Sequence, residues 1–155
     1  MKAFRILATV FSLGVILIFS GCGPKPAPAE STQDKQLGLL SHTWKVSTVT
    51  LGGVDQNTTG AWTNFQLTLS GTKGGTTFNY SCASRPTTSG PWPASGTWSF
   101  GSTPENSIIR IEDNLPMTYS VTATTLQISF NYTGTGFKGH RLNNVAGDWI
   151  FNFTN

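Results

Sequence analysis

The sequence predicts an all-β domain: an antiparallel meander of eight strands, closed as a small barrel or folded as a β-sandwich, led in by one short helical turn. Three observations carry this. Apolar residues recur at every second position through most of the chain, as in Phe65, Leu67 and Leu69 or Leu126, Ile128, Phe130 and Tyr132, with polar residues between them. Such alternation marks antiparallel strands with one buried face. Glycine, proline and asparagine clusters punctuate the runs at short intervals, the spacing of a sandwich or barrel. Helical periodicity is nearly absent.

Taken in order, the only helical candidate is a turn or two across Asp34–Ser41, which would set Leu37 and Leu40 against one end of the sheet. Strands follow near 43–51, 62–70, 76–83, 95–101, 107–112, 116–123, 125–132 and 147–154. The first changes phase, with Trp44 and Val46 on one parity and Val49 and Leu51 on the other; a β-bulge near Ser47-Thr48 would return both pairs to the core. Gly52-Gly53, Gly71 to Gly75, Gly90-Pro91, Thr103-Pro104, Asn114 and Gly134 to Gly139 supply the turns. Links this short let the meander close on itself, which removes the open edges of a flat sheet.

Ahead of this domain, Lys2 and Arg5 precede an apolar run from Ile6 to Phe19, ending in Ser20-Gly21-Cys22. A basic start, a short apolar run and small residues make a secretory signal. The rival readings are an ordinary cleaved signal and an uncleaved membrane anchor, and for the latter the run is short of a full span of about 20 residues. The cysteine placed at its end makes the segment resemble a bacterial lipoprotein signal, although Phe19 stands where that family usually has Leu, Val or Ile. The resemblance implies that residues 1–21 are removed and that Cys22 carries the acyl chains as the first mature residue. Residues 22–36, with Pro24, Pro26 and Pro28 among Ala and Lys, have little to bury and read as a tether. The domain proper is then 37–155.

The formal net charge of +3 includes Lys2 and Arg5; without them eight basic residues face seven acidic ones. The remaining cations are scattered, so a nucleic-acid partner is not expected. Cys82 is the only other cysteine. With Cys22 acylated it has no disulfide partner, and its place in the Phe78, Tyr80, Cys82 alternation reads as a small buried hydrophobe.

A helical turn leading into Leu40-Ser41-His42-Thr43-Trp44 resembles the entry of lipocalin-like barrels, in which a Gly-x-Trp places the Trp as a plug; here His42 stands at the glycine position. The stretches Ser89 to Gly101, Met117-Thr118-Tyr119-Ser120-Val121 and Gly147-Asp148-Trp149-Ile150-Phe151 are similar to lipocalin-like lipoproteins of the Bacteroidetes type. The resemblance runs from about Leu37 to the C-terminus and implies a barrel and an envelope location, not an activity. No acidic cluster follows Cys22. In such lipoproteins that cluster often accompanies surface export, so the expected address is the outer membrane, facing the periplasm. Lipocalin-like barrels often stack an arginine over the entry Trp, which makes Arg110 or Arg141 candidates to close the barrel with Trp44. The alternative for each is a solvent-facing arginine.

Catalysis would need titratable groups converging in a pocket. His42 and His140 lie far apart in sequence with no third ligand in view, Glu112 and Asp113 are adjacent, and no serine has a Gly-x-Ser-x-Gly setting. Neither an enzyme nor a metal or other cofactor is expected. Most aromatics fall on the inward parity, where core packing is their default role. Trp62, at a strand start, and Trp92, between Pro91 and Pro93, differ. They read either as plugs or as the lip of an apolar pocket or a sugar platform. Two hypotheses follow. The first is capture of a small apolar or amphipathic ligand at an open end lined by Trp62, Trp92, Tyr80 and Phe100. The second is a filled barrel serving as a structural, protein-binding or glycan-binding module. If Cys22 is the acyl site, Cys22→Ala moves the protein from the membrane to the soluble fraction; partitioning that persists in the variant contradicts the anchor.

Overall fold

A computed structural model of the chain describes residues 29–86, 90–134, 136 and 145–155. Its first element is α1 (Thr32–Leu40). Ser31 caps it: the hydroxyl accepts from the Asp34 N–H at 3.1 Å and donates to the Asp34 carboxylate at 2.8 Å, satisfying one of the orphan amides of the first turn. Asp34 also accepts from the Gly74 N–H and lies within reach of Lys73, and these partners hold its carboxyl below the ordinary range. The helix is too short to hold its shape unaided. It is fixed by Leu37 and Leu40, both buried against the end of the sheet.

The sheet comprises β1 (Thr43–Leu51), β2 (Val54–Asp55), β3 (Gln66–Ser70), β4 (Phe78–Ala83), β5 (Ser95–Phe100), β6 (Ser107–Arg110), β7 (Leu115–Val121), β8 (Thr125–Tyr132) and β9 (Gly147–Thr154). Each strand from β3 to β9 pairs antiparallel with the next, β1 pairs β3, and β1 also pairs β9 along nearly its whole length. The β1–β9 ladder closes an eight-stranded barrel and excludes the sandwich. Between Val46 and Thr48 the register against β9 shifts, leaving Ser47 as the extra residue. The Ser47 hydroxyl donates to the Asn152 carbonyl at 3.0 Å. This is the bulge that the phase change required, and with it Trp44 and Val49 both reach the core, fully buried.

Three elements differ from expectation. β2 is an extra strand, hairpinned to β1 through Gly52 and Gly53, whose φ values of 56° and 80° suit the tight primed turns of two-residue hairpins. The strand expected from residue 62 begins at Gln66, because the chain first turns: the Thr63 hydroxyl donates to the Gly60 carbonyl at 3.0 Å and the Phe65 N–H to the Trp62 carbonyl at 2.9 Å. The strand expected to reach 112 ends at Arg110, and Asn114 turns the chain at φ 52°.

The inward parity packs as an aromatic interior. Phe151, with no exposed surface, is ringed by Trp62, Phe65, Trp92, Phe130, Trp149 and Phe153 at centroid separations of 5.1 to 6.0 Å. Trp149 and Phe153 lie nearly parallel to it along β9, at 18° and 14°, while Trp62 and Trp92 meet it edge-on at 75° and 81°. Offset and edge-to-face arrangements are those that aromatic quadrupoles favour. Phe151→Ala should therefore destabilise the fold by about 3–5 kcal/mol, as large-to-small changes at packed aromatic sites do. Urea unfolding is the check, and a cost near zero would contradict the packing described.

Candidate functional site

Function in a small barrel can reside at either end or on the outer wall. The α1 end is closed. Leu37 and Leu40 lie over it, and the Trp44 indole N–H donates to the Leu40 carbonyl at 2.8 Å. His42 meets the Trp44 ring edge-on at 5.5 Å, and the Tyr119 hydroxyl lies within hydrogen-bond reach of two acceptors, the Pro104 carbonyl and the Gln36 side-chain oxygen.

The opposite end is closed by Trp62 and Trp92, which are 4% and 3% exposed. They are interior plugs, not a lip or platform. Pro91 and Pro93 restrict the backbone on both sides of Trp92, so the loop delivers its indole inward at little entropic cost. The ring packs against Tyr80 at 5.8 Å and Phe130 at 5.6 Å. Its indole N–H is buried without a hydrogen-bond partner among the described residues. Gly90 lies so close to Trp62 that a Cβ there would come within 3.1 Å of the indole.

Arg110 fixes this plug from within. It is 1% exposed, and its guanidinium lies over Trp92 at 5.5 Å and Tyr132 at 5.8 Å. It donates to Asp113 through Nε at 2.9 Å and Nη2 at 2.5 Å, and through Nη1 to the Pro91 carbonyl at 2.7 Å. The two-pronged carboxylate pair is the geometry that suits guanidinium best. Arg85 donates to the Trp92 carbonyl at 3.0 Å, and the Cys82 N–H to Ala94 at 2.7 Å, so the plug loop is strapped on both sides. The expected stacking of Arg110 on Trp44 is corrected here. Arg110 is held at the Trp92 end by Pro91 and Asp113, whereas Trp44 is held at the α1 end by Leu40. It does not face solvent either. Cys22, His140 and Arg141 lie outside the described residues.

Among the described residues, the four expected to line a ligand site do not surround one. Tyr80 packs on Trp92, while half-buried Phe100 packs on Phe78 and Trp98 at 5.5 and 5.2 Å, toward the α1 end. The space between Tyr80, Trp92, Trp98 and Arg110 measures about 10 Å³, room for about one water. Glu112 lies beyond the end of β6, where its carboxylate accepts from Thr97 and Tyr80. Burial opposes its ionisation, but the Thr97 hydrogen bonds outweigh it and hold the pKa low. Burial pushes the Cys82 thiol up to about 12, against weaker pulls from Arg85 and Arg110, which favours the neutral thiol. Among the described residues, no three His, Cys, Asp or Glu side chains cluster as a metal site.

The outer wall holds what sequence reasoning passed over. A groove of about 450 Å³ crosses β7, β8 and β9 between Pro116, Thr118, Ser129, Asn131, Asp148 and Ile150. A second, of about 300 Å³, lies farther along the same strands between Ser47, Ser120, Thr125, Gln127, Asn152 and Thr154. Comparison with protein-family models, curated proteins and solved structures found no match to this chain.

Arg110→Ala should destabilise the fold by about 2–3 kcal/mol, because it leaves the Pro91 carbonyl and a partly buried Asp113 without their donor. A lowered urea midpoint at unchanged m-value is the expected reading; an unchanged midpoint would show that the plug does not depend on Arg110.

Proposed function

We propose that this chain is a lipid-anchored envelope protein, tethered through Cys22 and carrying a lipocalin-like barrel that is filled and that works, without catalysis, through its outer surface. The observation that carries this is the interior. A small-molecule site needs a few hundred Å³, and the space beneath the Trp92 plug is about 10 Å³. Trp62 and Trp92, which could have formed the lip of such a site, occupy the core instead. An eight-stranded barrel has an interior just wide enough to be filled by side chains or to take one small ligand, and here aromatic rings take up that width.

The tether fits the same reading. The described chain enters at α1, with Glu30 paired to Lys73 and Asp34 hydrogen-bonded to Gly74. An anchor upstream of Ser31 would thus join the domain at its α1 end and leave the outer wall accessible to partners in the envelope. The location and the lipid attachment rest on the signal-like segment and Cys22. The non-catalytic reading rests on the lack of any sequence setting for an acid–base or nucleophilic group.

Native mass spectrometry of the full chain, extracted from its membrane in mild detergent, tests the filled interior. The expected spectrum shows the acylated chain with no further mass, before and after incubation with palmitate. A defined extra mass that disappears on denaturation would overturn the filled barrel and restore the interior ligand.

A further inference from the structure

The outer face of β7, β8 and β9 departs from an ordinary protein surface. A surface built for solubility alone carries about 25–35% charged residues, yet these three strands hold one, Asp148, a scarcity they share with β3, β4 and β5, which hold none. The outward positions are hydroxyls and amides instead, and the barrel's closure sets them in rows. Thr118 Oγ1 and Ser129 Oγ lie 2.7 Å apart, Gln127 Nε2 donates to Asn152 Oδ1 at 2.8 Å, Asn152 Nδ2 to Thr48 Oγ1 at 2.8 Å, and Asn131 Nδ2 to Asp148 Oδ1 at 2.7 Å. Each row crosses the strands, and successive rows stack along both grooves.

Three properties of this face select a ligand class. Its near-neutrality gives no attraction to an anionic or cationic partner, so charged polymers and anionic lipid surfaces are poor fits. Its polar groups have spare capacity: an amide can take part in four hydrogen bonds and a hydroxyl in three, and the cross-strand pairs use only some of these while holding the side chains in fixed positions. A ligand therefore meets donors and acceptors already ordered, with less entropy to lose. Thr methyl groups, Pro116 and the 36%-exposed Ile150 add apolar contact between the polar rows. From Thr125 to Asn131 the outer row of β8 spans about 20 Å at the strand rise of roughly 3.3–3.4 Å per residue. An elongated, uncharged, polyhydroxylated chain with apolar ring faces matches all three.

We infer that the groove across β7, β8 and β9 is a binding site for neutral glycan chains, read by Thr118, Gln127, Ser129, Asn131 and Asn152. This rests on the filled-barrel reading and gives that outer surface its ligand. A protein partner would find no charge pattern to fix its register on this face. Among the described residues, Trp62 and Trp92 at the barrel end are buried and offer no exposed aromatic platform.

The test uses the full chain in a polyoxyethylene detergent free of sugar headgroups, applied to a printed array of neutral hexose and N-acetylhexosamine oligosaccharides with anionic glycans alongside. Binding to neutral oligosaccharides is expected. The double substitution Gln127→Ala with Asn152→Ala should weaken it about tenfold or more, since it removes several ligand hydrogen bonds. Thr68→Ala, on the outer face of β3, should leave it unchanged. Circular dichroism of each variant checks the fold, since Gln127 is exposed but Asn152 and Thr68 are half-buried. No binding to any neutral glycan, binding confined to anionic glycans, or binding unaffected by the double substitution would each overturn the proposal. Mass spectrometry of the same preparation separates the two readings. A bare acylated chain with no glycan binding sinks the glycan site alone, whereas an extra mass released on denaturation sinks the filled barrel.

Discussion

The burial of Phe151 among aromatic rings contributed by distant parts of the chain is the constraint on which the rest of the molecule depends. Phe151 lies on the strand that closes the barrel, and its neighbours come from β8, from the turn before β3 and from the plug loop. Closure and packing are therefore one event. The β1–β9 ladder brings Trp149, Phe151 and Phe153 inside, and the rings that meet them fill the width that eight strands enclose. Close-packed interiors lose stability steeply when a void is opened, so a barrel built this way has no reason to keep a cavity.

The two ends follow from the same requirement. A barrel of rings still exposes apolar surface at its mouths, and each mouth is covered by chain that is not strand. At one, Leu37 and Leu40 of α1 cover it, and the Trp44 indole of β1 donates to the Leu40 carbonyl. At the other, the double-proline loop inserts Trp92 and the guanidinium of Arg110 fixes it from beneath. A buried cation is tolerable only when its donors are met. Arg110 meets that condition with Asp113, the Pro91 carbonyl and two aromatic faces. Its hydrogen bonds go to the loop that carries the plug, so its charge is used to hold the mouth shut.

The alternation of apolar and polar residues made the eight barrel strands legible, and the phase slip between Val46 and Val49 placed a bulge near Ser47-Thr48, where the pairing puts it at Ser47. β2 could not be read, because two exposed residues have no period and their pairing depends on the Gly52-Gly53 turn. Trp62 and Trp92 belong to turns, where alternation does not encode direction, so sequence left plug and platform equal. The Arg110 site depends on Pro91, nineteen positions away, and on Asp113, three positions on, across the β6–β7 turn. Only the second spacing was a signal that sequence could have supplied. The polar parity of β7 to β9 was visible strand by strand, but its near-absence of charge gained meaning only once closure placed those strands side by side.

The proposed function turns on an interior filled by side chains. The volume change of unfolding under hydrostatic pressure tests it most directly, since that quantity grows with the internal void eliminated on unfolding. The filled barrel predicts a value near the small end of the usual range of about −20 to −100 mL/mol. A value near the large end would reveal an interior cavity and contradict the account.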